Sequence, residues 1–248
     1  MNQKQNIWVI IPAAGVGRRM QTDVPKQYLT LNNKTVIEHT INVFISAEFI
    51  SGIIVAVSAE DEYWSGLEFK APQRLHTVEG GEERCYSVLN ALTFLQQEAQ
   101  PDDWVLVHDA ARPCLRAEDL NLLLDKLINH DVGGILAIPV RDTMKRSRKR
   151  SGKRSGESAG DDVLIEATVD REGLWHALTP QMFRFGLLYQ ALEEALSQGK
   201  LITDESSALE LAGYQPVLVE GHADNIKITQ PDDLALAAFY LREQEMTK

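Results

Sequence analysis

Four short constellations in this chain combine residue types able to do chemistry on phosphates. The first is Pro12-Ala13-Ala14-Gly15-Val16-Gly17-Arg18-Arg19-Met20, with Pro25-Lys26-Gln27-Tyr28 close behind it. Small residues and glycines after an apolar run let backbone N–H groups approach phosphate oxygens closely. Arg18, Arg19 and Lys26 then stand where a triphosphate's charge has to be held and the charge developing during transfer stabilised. A dinucleotide fingerprint would need a third glycine where Met20 stands, and the P-loop pattern Gly-x-x-x-x-Gly-Lys-Ser/Thr is absent, which argues against a nicotinamide dehydrogenase. A plain glycine turn with solvated basic neighbours is the alternative.

The second constellation, Glu79-Gly80-Gly81-Glu82-Glu83-Arg84-Cys85-Tyr86-Ser87, opens a helical pattern through Val88, Leu89, Ala91, Leu92 and Leu95. Backbone N–H groups there, with Ser87 one turn in, could read a base edge or hold a ribose; turn and capping chemistry is the competing reading. The third, Val107-His108-Asp109-Ala110-Ala111-Arg112-Pro113, ends an apolar run. Open α/β sheets bind ligands at the carboxyl ends of their strands, so Asp109 stands where a Mg²⁺-binding carboxylate would be useful. Its rival role is to cap the next turn, paired to Arg112. His108 reads as a core or strand-end histidine. The fourth, Gly221 to Thr229, places Asp224 and Lys227 at the entry to an expected alternating strand, as a second metal-facing group and phosphate cation or as an exposed ion pair. Cys85 and Cys114 lack C-x-x-C spacing and a neighbouring histidine, so neither a disulfide framework, a zinc site nor a cysteine nucleophile is expected.

The elements that must position these residues are legible in the hydrophobic pattern. Ile7 to Ile11, Gly52 to Val57, Trp104 to Val107 and Gly134 to Ile138 are short apolar runs bounded by turn or charged residues, as buried parallel strands are. Between them, Val36 to Ala47 and Leu120 to Ile128 repeat at helical spacing, and Pro231 with Asp232 and Asp233 opens a closing helix. Alternating strands and helices predict an α/β, doubly wound, mostly parallel sheet. The 248 residues, 44% hydrophobic and 25% charged, fit a single globular domain spanning 1–248. Net charge is −11, and seven of the 25 basic residues crowd into Lys145 to Arg154, so the remaining body is more acidic still. That balance argues against nucleic-acid and anionic-membrane binding. The short apolar stretch after a polar N-terminus and the two cysteines fit a cytoplasmic protein. The stretch 145–162 is basic, rich in Ser and Gly and nearly free of apolar residues, so it is expected to be a mobile, solvated insertion; substrate steering and an acidic docking partner are its alternatives.

Taken in order, these motifs closely resemble the 2-C-methyl-D-erythritol 4-phosphate cytidylyltransferase family. Further similarity lies in Pro139 to Lys145, Val169 to Arg171, Leu174 to Gln181 and Thr203-Asp204-Glu205. The resemblance implies a Rossmann-like nucleotidyltransferase fold and transfer of a cytidylyl group from CTP to 2-C-methyl-D-erythritol 4-phosphate, with Mg²⁺ and release of pyrophosphate, in non-mevalonate isoprenoid synthesis. It implies that Arg19, Lys26 and Lys227 are catalytic. It places CTP against Ala13, Ala14, Gly15, Gly17, Gly81, Arg84 and Ser87, and the acceptor against Asp109, Arg112, Thr143, Arg171, Thr179 and Asp224, with Asp109 and Asp224 facing the metal. A protruding arm, 140–172, is implied to join two subunits into a homodimer with shared sites. A cytidylyltransferase for a pentitol phosphate such as ribitol 5-phosphate is the alternative acceptor reading. A nucleotide sensor without transfer is disfavoured because Arg19, Lys26 and Lys227 are all present.

Overall fold

The computed structural model describes residues 5–15, 24–149 and 163–246. Gly17, Arg18 and Arg19, and the 150–162 part of the basic insertion, lie outside the described residues. Each apolar run is a strand: β1 (Ile7–Pro12), β4 (Gly52–Val57), β6 (Trp104–Val107) and β7 (Gly133–Pro139). With β5 (Leu75–Glu79), β10 (Trp175–Arg184) and β11 (Val217–Glu220) they form a seven-stranded sheet in the order β11-β7-β10-β6-β1-β4-β5. β10 runs antiparallel to both of its neighbours, while the remaining pairings, β1 with β4 and β6, β4 with β5 and β7 with β11, are parallel. The fold is the expected mostly parallel α/β sheet.

Side-chain alternation sorts the core into two layers. Ile7, Val9 and Ile11 of β1 pack with α1 (Val36–Ser46) and α3 (Ala117–Leu127) through Ile37, Ile41, Phe44, Leu120 and Leu123. Trp8 and Ile10 face α2 (Arg84–Leu95), α4 (Phe185–Ser197) and α5 (Glu205–Leu211) through Val88, Leu92, Leu188 and Leu209. Each fully buried aliphatic side chain contributes about 1.5–3 kcal/mol, so both faces of the sheet are held by burial rather than by polar contacts. A capping box starts α1, Thr35 and Glu38 each accepting the other's backbone N–H. A third apolar cluster seats α6 (Pro231–Met246) on the short β2 (Thr30–Leu31) and β3 (Lys34–Thr35) hairpin through Leu31, Cys114, Ile228 and Ala237.

Two sequence expectations change. Lys145 to Lys149, expected within a mobile insertion, belong to β8 (Met144–Lys149), which pairs antiparallel with β9 (Val163–Val169) as a separate two-stranded sheet. Backbone groups make that ladder, so a strand rich in cations forms it as readily as an apolar one. The segment after Asp224 is no alternating strand: residues 221–230 carry neither helix nor strand, and the neighbouring strand β11 ends before them at Glu220.

Chain order makes β1 the switch point. From β1 the chain moves outward to β4 and β5, then returns by α2 to β6 on the other side of β1, leaving a crevice where the carboxyl ends of β1 and β6 diverge. His108 fastens one wall of it. Its backbone N–H donates to the Ile10 carbonyl at 2.9 Å, and its wholly buried ring meets Phe44 edge-on at 5.2 Å. Nε2 lies 3.1 Å from the Arg112 carbonyl, which can only accept, so Nε2 carries the proton and Nδ1 accepts from the Thr179 hydroxyl at 3.0 Å. The neutral ring is thus fully bonded, and burial, with the nearby Arg112 and Arg84 charges, lowers its pKa from 6.5 to about 4. The unfolded chain takes up this proton below pH 6.5 while the fold refuses it until about pH 4. Stability from His108 is therefore complete above pH 6.5 and declines as pH falls, by about 1.4 kcal/mol per pH unit inside that window. Urea unfolding across the window should show this slope in the native protein and its loss, by about one proton, in His108→Asn.

Candidate active site

The β1 wall of the crevice is a backbone loop pinned from behind. The Ala13 N–H donates to the Ala56 carbonyl at 2.7 Å, and the buried Gln27 amide donates to the Ala13 and Gly15 carbonyls at 2.7 and 3.1 Å. Gln27 belongs to the tight turn Lys26–Tyr28, so the residue that fixes the loop also sets Lys26 beside it. Lys26 Nζ donates to the Ile228 carbonyl at 2.9 Å, reaching across to the far wall.

The second wall is the turn between β5 and α2. A Cβ on Gly80 would lie 2.4 Å from the Ala14 Cβ, so glycine is what allows this turn to press against the β1 loop. The Gly81 N–H donates to Ser87 Oγ at 3.0 Å, and Ser87 donates to the Glu83 carbonyl at 3.3 Å. Ser87 therefore shapes the turn. Glu82 and Glu83 precede the helix rather than filling its first turn, because α2 begins at Arg84.

Asp109 lies between the walls and is the electrostatic centre. Its Oδ1 accepts from Arg84 Nε at 3.0 Å, and its Oδ2 from Lys227 Nζ at 2.9 Å and Arg112 Nε at 3.3 Å. Burial by itself would raise the carboxyl, but Arg84, Lys227 and Arg112 outweigh it and hold it well below the usual carboxylate range. Arg84 also makes a bidentate pair with the buried Glu205, at 2.6 and 3.0 Å. Burial opposes its charge, yet Glu205 and Asp109 prevail and raise its pKa. Glu205 is delivered by α5, whose N-cap Asp204 accepts from Gln181 of β10 at 2.8 Å while Gln181 accepts the Ser206 N–H at 2.9 Å.

Of the residues singled out in the sequence, Ala13, Ala14, Gly15, Lys26, Gly81, Arg84, Ser87, Asp109 and Lys227 line one cleft of about 600 Å³. Others stand behind it. Arg112 is buried, does not line the cleft, and ties Asp109 to the Asn225 carbonyl at 2.7 Å, which is the turn-pairing role. The Thr179 hydroxyl accepts the Asp109 N–H at 3.1 Å from beneath. Asp224 does not reach the cleft lining; its carboxylate pairs with Arg116 at 2.6 Å. Thr143 and Arg171 lie exposed at the base of the β8–β9 hairpin, where Arg171 bonds the Arg141 carbonyl, and neither reaches this cleft. Gln27 and Glu205 had no assigned role. Nothing in the local pattern shows Glu205 meeting Arg84, a partner 121 positions away.

Among the described residues no three His, Cys, Asp or Glu side chains gather to hold a metal ion. Mg²⁺ is commonly bound by one or two carboxylates together with substrate phosphates and water. Asp109 suits that donor set: it is ionised, lines the cleft, and its Oδ1 accepts one donor where a carboxylate oxygen can accept two.

The chain matches the family model for 2-C-methyl-D-erythritol 4-phosphate cytidylyltransferase over residues 7–243. It is 51% identical over 239 residues to the 2-C-methyl-D-erythritol 4-phosphate cytidylyltransferase of Vibrio vulnificus strain YJ016, covering 96% of each chain. It is also 51% identical over 228 residues to that of Pseudomonas aeruginosa, covering 92% of each. The crystal structure of the Francisella tularensis enzyme superposes with a TM-score of 0.78 at 37% identity, over 95% of this chain and 100% of that one. The Thermus thermophilus enzyme superposes with a TM-score of 0.72 at 30% identity, over 96% and 100%. A crevice at the switch point lined by Lys26, Arg84 and Lys227, in a chain matched along almost its whole length, leaves one assignment: this chain belongs to the 2-C-methyl-D-erythritol 4-phosphate cytidylyltransferase family.

Proposed function

We propose that the cleft between β1 and β6 carries out the family's reaction by placement and charge neutralisation, joining CTP to 2-C-methyl-D-erythritol 4-phosphate with loss of pyrophosphate. The observation that carries this reading is the convergence of Lys26, Lys227 and Arg84 on a cleft walled by the Ala13–Gly15 loop and Gly81. Two polyanions must meet there, and an in-line displacement at the α-phosphorus needs little from the protein beyond orientation and positive charge where oxygens become more negative. The acceptor phosphate is itself the nucleophile, so no side chain forms a covalent bond.

Ala13, Ala14, Gly15, Gly81 and Ser87 form the cytidine side, where a narrow passage between two touching turns admits a pyrimidine and crowds a purine. Lys26, together with Arg19, neutralises the α-phosphate and the departing pyrophosphate. Lys227, held on the opposite wall by Asp109, receives the incoming phosphate. Asp109, together with the nucleotide's phosphates, would hold Mg²⁺, and the ion when bound supplies further charge neutralisation. Asp224 acts from behind the wall rather than as a metal ligand.

The β8–β9 hairpin supports assembly as a homodimer. Val163 and Ile165, on one face of β9, are 66% and 68% exposed, apolar side chains that a second subunit would cover. Thr143 and Arg171, at the base of that hairpin, then complete the acceptor site of the second subunit.

Pyrophosphate release with Mg²⁺ and each of CTP, ATP, GTP and UTP, assayed against 2-C-methyl-D-erythritol 4-phosphate and ribitol 5-phosphate separately, tests the reading. Release is expected with CTP and methylerythritol phosphate alone; turnover confined to ribitol 5-phosphate would replace the acceptor assignment. Lys26→Ala is expected to lower kcat by about 10²–10³-fold with an unchanged melting temperature, and near-native turnover would remove its role. Ile165→Lys is expected to sediment as a monomer and to lose transfer although Lys26, Asp109 and Lys227 are intact. A fully active monomer would overturn the shared site.

A further inference from the structure

Lys227 stands in a segment, 221–230, that has neither helix nor strand to hold it, yet its ammonium lies 2.9 Å from Asp109. Hydrogen bonds from neighbouring segments supply the missing rigidity. Downstream, the Ile228 N–H donates to the Ala111 carbonyl at 2.8 Å and the Ile228 carbonyl accepts from Lys26 at 2.9 Å. In the middle, Asn225 is held by Arg112 through its carbonyl and by the Thr179 carbonyl through its amide. Upstream, the fixed point is Asp224, three residues before Lys227 and 7% exposed.

One oxygen of Asp224 takes every donor. Oδ2 lies 2.8 and 2.6 Å from Arg116 Nε and Nη2 and 3.0 Å from Gln244 Nε2, while the buried Oδ1 has no hydrogen-bond partner among the described residues. Gln244 Nε2 also donates to the Cys114 carbonyl at 3.0 Å. A buried carboxylate with an orphan oxygen is a costly way to close a surface loop, and a neutral side chain would serve packing better. What the carboxylate gains is a charge-assisted tie, with defined geometry, between this segment, the residue that begins α3 and the last turn of α6.

We propose that Arg116 and Gln244 are positioning residues for Lys227, acting through Asp224 and touching neither substrate. This rests on the role given to Lys227 above. Neither residue lines the catalytic cleft, and Gln244 lies just past the 7–243 span matched by the family model. Asp224 and Lys227 are joined by a short stretch whose first turn is closed by the Ile226 N–H on the Asp224 carbonyl at 2.7 Å. A shift at Asp224 is therefore passed to the ammonium instead of being absorbed by slack chain.

The test is a double-mutant cycle read on the full-length enzyme as KM and kcat for each substrate. Arg116→Met is expected to raise the KM for 2-C-methyl-D-erythritol 4-phosphate about 10-fold with the KM for CTP unchanged, since misplacing a binding group by a fraction of an ångström has effects of that order. Gln244→Leu, which keeps the ion pair and so guards against a folding defect, should raise it about 3-fold, and Arg116→Lys should recover part of the loss. In a Lys227→Ala background neither substitution should add a further effect. Equal losses in both backgrounds, a parallel rise in the KM for CTP, or no effect in the native background would overturn the inference while leaving Lys227 its role. Native kinetics in Lys227→Ala alone would instead overturn that role, and this inference with it.

Discussion

The carboxylate of Asp109 receives Arg84, Arg112 and Lys227 within 3.3 Å, and these three cations arrive from the start of α2, from the turn after β6 and from an irregular segment near the C-terminus. Among the described residues no other single group joins so many distant parts of the site. Buried like charges would repel one another, so the three guanidinium and ammonium groups can share so small a volume only because ionised Asp109 lies among them and Glu205 backs Arg84. Remove the carboxylate and the cations have no common partner. The cleft's geometry and its charge are in this sense one interaction.

The sheet makes that interaction possible at low cost. Asp109 follows directly on β6, His108 and Thr179 lock its backbone from below, and β1 ends opposite it at the switch point. Burial of two aliphatic layers fixes the strands, so the polar groups above them need only hold loops, not the fold. Those loops are held by side chains crossing between them: Gln27 onto the β1 loop, Lys26 onto Ile228, Arg112 onto Asn225. Each crossing bond links two segments around the cleft, so a disturbance in one wall is felt in the other.

What could be read from the sequence follows from what is local. Ile7 to Ile11, Gly52 to Val57 and Trp104 to Val107 announce buried strands because both faces of a parallel strand are apolar, and the structure has them within a residue of those limits. The glycines at 15, 80 and 81 and the cations at 26 and 227 are visible as residue types out of keeping with their surroundings. Contacts between distant segments are not visible in this way. Glu205, a matched residue without a role of its own in the sequence, proves to be the partner of Arg84; Asp224 reads as a ligand and proves to be a buried anchor for Arg116. Lys145 to Lys149 read as solvated chain because apolar content marks burial, whereas a two-stranded ladder needs only backbone pairing and a partner strand. Patterning reports which side chains leave water, and it is silent on which polar groups find one another when they do.

The distribution of charge follows from the same division. The chain as a whole is −11, so its general field repels nucleotides and sugar phosphates alike. Within the cleft the cations are concentrated rather than in surplus: Lys26, Arg84 and Lys227 line it with Asp109, Glu82 and Glu83, Arg112 and Glu205 stand behind, and low-dielectric walls of alanine and glycine strengthen the local field around each charge. A surface made generally basic would attract anions everywhere and discriminate among none. Cations held in fixed places by two buried carboxylates favour ligands whose phosphates can enter the crevice deeply enough to replace the contacts those cations already have. Which phosphates the crevice can take therefore depends on where its cations are pinned, a constraint that acts before any base or hydroxyl is met.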